Sequence, residues 1–266
     1  MTSNETGQQK PDEELTDEEL QELALEAQRE YWEQRARNQG KPASRRPFPR
    51  WLFWLMATVL LVNTFAFVFE LVSIPAVEFL KTSARLSAQE DIAAYKKSVV
   101  VIETGDSKGT GFSISSEGTI LTNYHVIEGN GQVTVSFPDD GRYVAKVTET
   151  YPAIDIAVLE TDGEDLPHLD LAEQPDYPEG EPITFIGNPL SFSGIANEGQ
   201  IIDLTQLKDW EEPVVMIRAP VYRGNSGSPV LNEEGQVVGV VFATLEHDDY
   251  GHVGLFVPIE ALKREK

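Results

Sequence analysis

From residue 97 onward the sequence never sustains an apolar pattern long enough for a helix of three turns. It breaks instead into short apolar or alternating runs separated by turn residues. These are SVVVIET, GTGFSIS, GTILT, QVTVSF, YVAKVTE, IDIAVLE, ITFIG, QIIDL, PVVMIRA, SPVLN, QVVGVVFA and VGLFVP. Such runs, rich in β-branched and aromatic residues, read as strands. Asp140-Gly141 and Glu234-Gly235 read as hairpin turns. So many short strands with little helix between them predict an all-β sandwich or barrel. The loop EDLPHLDLAEQPDYPEGEP is a natural seam between two halves, and IEALKREK closes the chain as a short helix over 259–265. No internal sequence repeat is visible.

The chain ahead of this region is different in kind. Residues 1–50 are polar. Within them LTDEEL predicts a helix start: Thr16 caps, Glu19 completes a capping box, and Leu15 staples to Leu20. Leu20, Leu23, Ala24, Ala27 and Tyr31 follow at helical spacing, and Gly40 and Pro42 end the pattern. Next comes WLFWLMATVLLVNTFAFVF, residues 51–69, without a charge. At 1.5 Å per residue it reaches about 28 Å, close to the thickness of a bilayer core. Trp51 and Trp54 suit an interfacial belt. Arg35, Arg37, Lys41, Arg45, Arg46 and Arg50 precede the run, and only Lys81 and Arg85 closely follow it. The expectation is a single transmembrane helix in a cell membrane, with a cytoplasmic N-terminus and an extracytoplasmic C-terminal bulk. Residues 70–96 read as a partly helical juxtamembrane linker.

Cysteine is absent from the 266 residues, which excludes disulfides and thiolate metal sites. The formal charge is −23, and residues 51–266 hold 33 acids against 13 bases. Phosphates would be repelled, so nucleic acid is not an expected partner. His168, His247 and His252 show no metal-ligand spacing, and Gly109 and Gly111 lack the Lys-Ser/Thr of a phosphate loop.

Three residues stand out for chemistry. His125 lies in TNYHVI, Asp155 in AIDIAVLE, and Ser226 in GNSGSP. Each alone has an ordinary explanation: a core histidine, a strand carboxylate with a local partner, a serine in a flexible turn. Together they supply what acyl transfer by serine needs, which is a hydroxyl, a base to take its proton, and an acid to orient that base. The order separates hydrolase types. An α/β-hydrolase runs Ser, acid, His with a G-x-S-x-G elbow, whereas residue 228 here is Ser; a subtilisin places the acid before the histidine. His, Asp, Ser is the chymotrypsin order.

Residues 97–262 resemble trypsin-like serine proteases of the HtrA/DegP group. The likeness rests on GTGFSISSEGTILTNYHVI around the histidine, DIAVLE around the aspartate, IGNP at 186–189 and VGLFVPIEAL near the end. It implies two chymotrypsin-like six-stranded β-barrels, about 97–168 and 180–258, with the active site between them. It also implies endoproteolysis of unfolded or damaged envelope proteins, no metal or cofactor, and a possible homotrimer. Members usually carry a C-terminal PDZ domain, and this sequence stops at Lys266 without one, so PDZ-dependent capture is not carried over. GNSGSP also resembles V8-type glutamyl endopeptidases. Those place a histidine on the strand after the serine hairpin, where this chain has Val241. A non-catalytic binding or chaperone module on the same fold is a further alternative.

On this reading the N–H groups of Gly224 and Ser226 form the oxyanion hole. The side-chain pocket is expected at Pro220, Val240, Val241 and Phe242, with no aspartate for a basic side chain. The expected cleavage is after Val, Ile, Ala, Leu or Thr. Arg218 and Arg223 stand close enough in sequence to reach in.

Overall fold

The computed structural model describes residues 17–38, 49–71, 74–105, 107–190, 192–208, 210 and 212–265. Leu15 and Thr16, assigned above to the first helix's staple and cap, lie outside them, as do Gly40, Lys41, Pro42, Arg45 and Arg46. The chain divides into two compact units, residues 1–67 and 68–266.

In the first unit, α1 (Asp17–Asn38) leaves Leu20, Leu23 and Tyr31 exposed. α2 (Arg50–Leu71) runs through the apolar stretch. Its described side chains end at residue 64. Among the described residues no helix is long and apolar enough to cross a membrane.

The second unit begins with two helices where the sequence reading places a linker. They are α3 (Ile74–Ser87) and α4 (Glu90–Ser98). α3 buries Phe79, Ser83 and Leu86, spaced to share one helical face. The Ala196 N–H donates to Ser83 Oγ at 3.1 Å, and Arg85 pairs with Glu198 at 2.7 Å. α4 has Glu90 and Asp91 in its first turn and Lys96 and Lys97 in its last, the polarity that the helix dipole favours. Burial lowers the Lys96 ammonium's pKa from its ordinary value.

Twelve strands follow. The first six are β1 (Val99–Glu103), β2 (Lys108–Ser113), β3 (Thr119–Thr122), β4 (Gln132–Phe137), β5 (Gly141–Tyr151) and β6 (Ile156–Glu160). A one-turn helix α5 (Tyr124–Ile127) sits between β3 and β4. The second six are β7 (Pro182–Gly187), β8 (Ile195–Thr205), β9 (Val214–Arg218), β10 (Pro229–Leu231), β11 (Val237–His247) and β12 (Gly251–Pro258). α6 (Ile259–Glu265) ends the described chain.

All strand pairs are antiparallel, and each set closes into a barrel. The order is β1-β2-β3-β6-β5-β4 in one and β7-β8-β9-β12-β11-β10 in the other. The two share one topology although their sequences show no repeat. Closure comes from β1 pairing β4 and β10 pairing β7, which leaves no long edge strand. Val100, Ile102, Ile120 and Leu159 fill the first barrel; Phe185, Val215, Ile217 and Phe256 fill the second. A third cluster joins Phe112, Leu121, Ile156, Ile186, Leu231 and Val240 with Leu86, Ile92 and Leu262 of the flanking helices. This shared apolar layer fixes one barrel against the other, and the loops that matter meet across it.

Candidate active site

The β3 strand ends at Thr122, and the chain turns through Asn123 into α5, which presents His125 at the surface. Asp155 follows a single 3₁₀ turn, Pro152–Ile154, and precedes β6. Its φ is 51°, the left-handed region that aspartate tolerates better than most residues. That turn lets the carbonyl of Asp155 accept from Asn123 Nδ2 at 2.9 Å and from the Tyr124 N–H at 3.1 Å. The carboxylate then faces His125 directly. Oδ1 accepts from the His125 backbone N–H at 2.9 Å, and Oδ2 lies 2.6 Å from Nδ1. A carboxylate oxygen can only accept, so Nδ1 carries the proton in this contact. Asp155 is mostly covered, with 13% of its side chain exposed, while His125 is 45% exposed.

Ser226 comes from the other barrel, in the loop before β10. Gly224 and Gly227 adopt φ of 98° and 87°. A Cβ on Gly224 would lie 2.7 Å from the carbonyl oxygen of Asn188, and one on Gly227 would lie 1.9 Å from that of Thr110. Neither contact leaves room for a side chain. Three of the loop's amides are used internally: Asn225 N–H to Tyr222, Gly227 N–H to Val241, Ser228 N–H to Asn225. The N–H groups of Gly224 and Ser226 donate to no acceptor among the described residues. The Ser226 hydroxyl donates to the Phe242 carbonyl across a long 3.5 Å.

His125, Gly224 and Ser226 line one cavity of about 350 Å³, together with Lys108, Leu190 and Arg223. A second cavity of about 200 Å³ also contains Ser226 and is walled by Val221, Tyr222, Val241, Phe242, Ala243 and Thr244, with Arg223 at its edge. Of the pocket residues expected from sequence, Val241 and Phe242 therefore line it. Pro220 and Val240 do not. Strand alternation turns Val240 away from Val241, into the apolar layer between the barrels, where it is fully buried. Arg218 lines neither cavity; its guanidinium stacks over Tyr250 at 5.9 Å from the ring centre.

The sequence reading missed Thr110, whose hydroxyl donates to the Gly224 carbonyl at 2.7 Å and accepts from the Asn188 N–H at 2.9 Å. It also missed Leu190, whose φ of 56° lets its N–H reach the Arg223 carbonyl at 2.9 Å. Tyr222, packed edge-on against Phe79 at 4.9 Å between ring centres, is a third. No group of three metal-ligating side chains occurs among the described residues. His252 instead faces Glu246 at 2.7 Å, and His247 accepts from the Asp249 N–H at 3.2 Å.

Residues 109–240 match the trypsin-like peptidase domain. The solved Rv3671c protease of M. tuberculosis in its active form is 30% identical, covering 67% of this chain and 83% of its own with a TM-score of 0.59. The chain belongs to the trypsin-like peptidase family. Within that family its relatives are of the HtrA/DegP kind. A probable periplasmic DegP-like serine endoprotease of Pseudomonas fluorescens is 37% identical over 136 residues, 50% of this chain and 29% of that protein. The HtrA-type protease AlgW is 26% identical over 65% of this chain and 60% of its own, with a TM-score of 0.60. The chain spans about a third of the length of the curated DegP-like relatives it matches.

Proposed function

We propose that the chain is a serine endopeptidase in which Ser226 is the nucleophile, His125 the general base and then acid, and Asp155 the group that orients His125. The observation that carries this is the 2.6 Å His125–Asp155 pair lining the same cavity as Ser226. In this reading His125 Nε2 takes the Ser226 proton as Oγ attacks the scissile carbonyl. The oxyanion forms against the unused N–H groups of Gly224 and Ser226, donors fixed before the reaction and so needing no reorganisation. His125 then protonates the leaving amine, and water repeats the sequence on the acyl-enzyme. In this reading the Ser226 hydroxyl gives up its long 3.5 Å bond to the Phe242 carbonyl and turns toward His125 when substrate enters.

The substrate class is polypeptide. The DegP-like relatives are described as probable periplasmic serine endoproteases, which supports an extracytoplasmic peptidase domain. We propose that its substrates there are unfolded or damaged proteins. We place the chain on a membrane through residues 51–69. Support comes from the uncharged run and from the exposure of Trp51, Trp54 and Leu60 at 67%, 68% and 67%. Asn63 Nδ2 and Thr64 Oγ1 donate back to the carbonyls of Val59 and Leu60, which gives each side chain a partner within the helix. The apolar walls of the second cavity favour aliphatic side chains before the scissile bond. The test is cleavage of an unfolded protein by the detergent-solubilised full chain and by its Asp155→Asn variant. The wild type is expected to cut, chiefly after Val, Ile, Ala, Leu or Thr, and the variant to lose about 10⁴-fold through the wrong histidine tautomer. An Asp155→Asn enzyme of unchanged rate contradicts the assignment.

A further inference from the structure

We propose that the cavity on the leaving-group side of Ser226 selects an acidic side chain just after the scissile bond, through Lys108 and Arg223. The inference rests on the peptidase reading above and specifies its substrate. His125 must protonate the leaving amine, so the amine and the residue that carries it lie on the His125 side of Ser226. The cavity on that side is the one of about 350 Å³, and its charged lining is Lys108 and Arg223. The cavity that takes the preceding side chain has mainly apolar walls, and of the two cations it shares only Arg223.

Two cations here run against the rest of the surface. Residues 97–266 hold 29 acids and ten lysines or arginines, and two of those ten are in this cleft. Some exposed cations elsewhere are paired, Arg142 with Glu103 at 2.5 Å, Arg85 with Glu198 at 2.7 Å and Arg264 with Glu212, while Lys146 and Lys208 are exposed without an ion pair among the described residues; what sets Lys108 and Arg223 apart is their shared place in the cleft. Lys108 and Arg223 are exposed and form no ion pair among the described residues. The acidic surface repels an acidic peptide at long range, but that field is screened beyond about 10 Å at 0.1 M salt. Within the cleft the charged lining is the Lys108 ammonium and the Arg223 guanidinium. Leu190, 63% exposed, supplies an apolar surface for the side chain's methylenes. Asp106, two residues before Lys108 in sequence, lies outside the described residues, and a swap at Arg223 probes the cleft independently of it.

The test uses two quenched peptides cut by the detergent-solubilised full chain, identical except for Glu or Lys in the first position after the scissile bond. Mass spectrometry confirms the cut, and fluorophosphonate labelling of Ser226 counts active sites. Two exposed ion pairs correspond to roughly a two- to thirtyfold preference for Glu in kcat/KM, shrinking as salt is added. Arg223→Glu, and Lys108→Glu separately, should shift that ratio toward Lys. A ratio near one in the labelled wild type overturns the inference and leaves the peptidase reading intact. So does a ratio that the charge swaps fail to move, or an acid preference that falls before the bond. If Ser226 neither labels nor cuts, both fall together.

Discussion

The backbone N–H of Thr110 donates to the carbonyl oxygen of Ser226 at 2.9 Å, tying a strand of the first barrel to the nucleophile loop of the second. Thr110 is fully buried and holds three further bonds. Its hydroxyl bridges the Gly224 carbonyl and the Asn188 N–H, and its own carbonyl accepts from Thr122 Oγ1 at 2.7 Å. One residue thus sets the distance between the barrel that supplies His125 and Asp155 and the loop that supplies Ser226.

Thr110→Val keeps the shape and the backbone bonds and deletes the hydroxyl. It strands a buried carbonyl and a buried N–H, each costing about 1–3 kcal/mol. A shift of about 1 Å in the loop is enough for a roughly hundredfold loss of turnover. The expected result is a folded protein with kcat/KM down about ten- to hundredfold, restored by Thr110→Ser. Full activity in Thr110→Val would remove Thr110 from the positioning of the loop.

Gly227 and Gly251 make a controlled comparison. Both have positive φ, 87° and 69°, so alanine at either is strained by about 1–2 kcal/mol. A Cβ at Gly251 meets nothing within 4 Å, whereas one at Gly227 meets the Thr110 carbonyl at 1.9 Å. Gly251→Ala should leave cleavage near wild type with a small drop in thermal midpoint. Gly227→Ala should abolish cleavage, since only a displaced loop relieves a backbone clash. Equal activities in the two variants would show that the loop is not held by this contact.

How far the sequence carried depends on the range of each interaction. The strands were readable because alternation and turn glycines are local signals, and the twelve runs correspond to β1–β12. His125 and Asp155 were singled out because each sits in its own distinctive stretch, and the structure sets the two side chains 2.6 Å apart. Thr110 was not, because its partner Gly224 is 114 residues away and nothing in GTGF marks a threonine as a hinge between barrels. Val240 was misplaced for a related reason: neighbours on a strand face opposite sides, and the bulge between Val241 and Ala243 changes the phase beyond it. The segment 70–96 looked like a linker because the barrel surface that covers Phe79, Ser83 and Leu86 comes from residues more than a hundred positions later.

Tyr177 gives a pH dependence unconnected with the active site. Its single O–H proton is shared between the Val238 carbonyl, 2.9 Å away, and the Glu260 carboxylate. Burial first, and then the bond to Glu260, push the phenol well above its ordinary value near 10. In the unfolded chain the phenol ionises near that ordinary value, while in the folded protein it stays protonated. The unfolded state therefore binds fewer protons at high pH, and the stability that Tyr177 contributes is present below about pH 10 and lost above it. Urea unfolding of Tyr177→Phe should show lower stability than wild type at neutral pH and a shallower decline in alkali. Parallel pH profiles for the two proteins would contradict this.

The most direct measurement is reaction of the full chain with a fluorophosphonate, followed by peptide mapping of the adduct beside a cleavage assay. The expected result is a single adduct on Ser226, with Ser226→Ala keeping the wild-type fold by circular dichroism while losing both adduct and cleavage, by about 10⁴-fold or more. Cleavage that survives Ser226→Ala, or an adduct elsewhere that accounts for the activity, would contradict the assignment of His125, Asp155 and Ser226 as the catalytic triad.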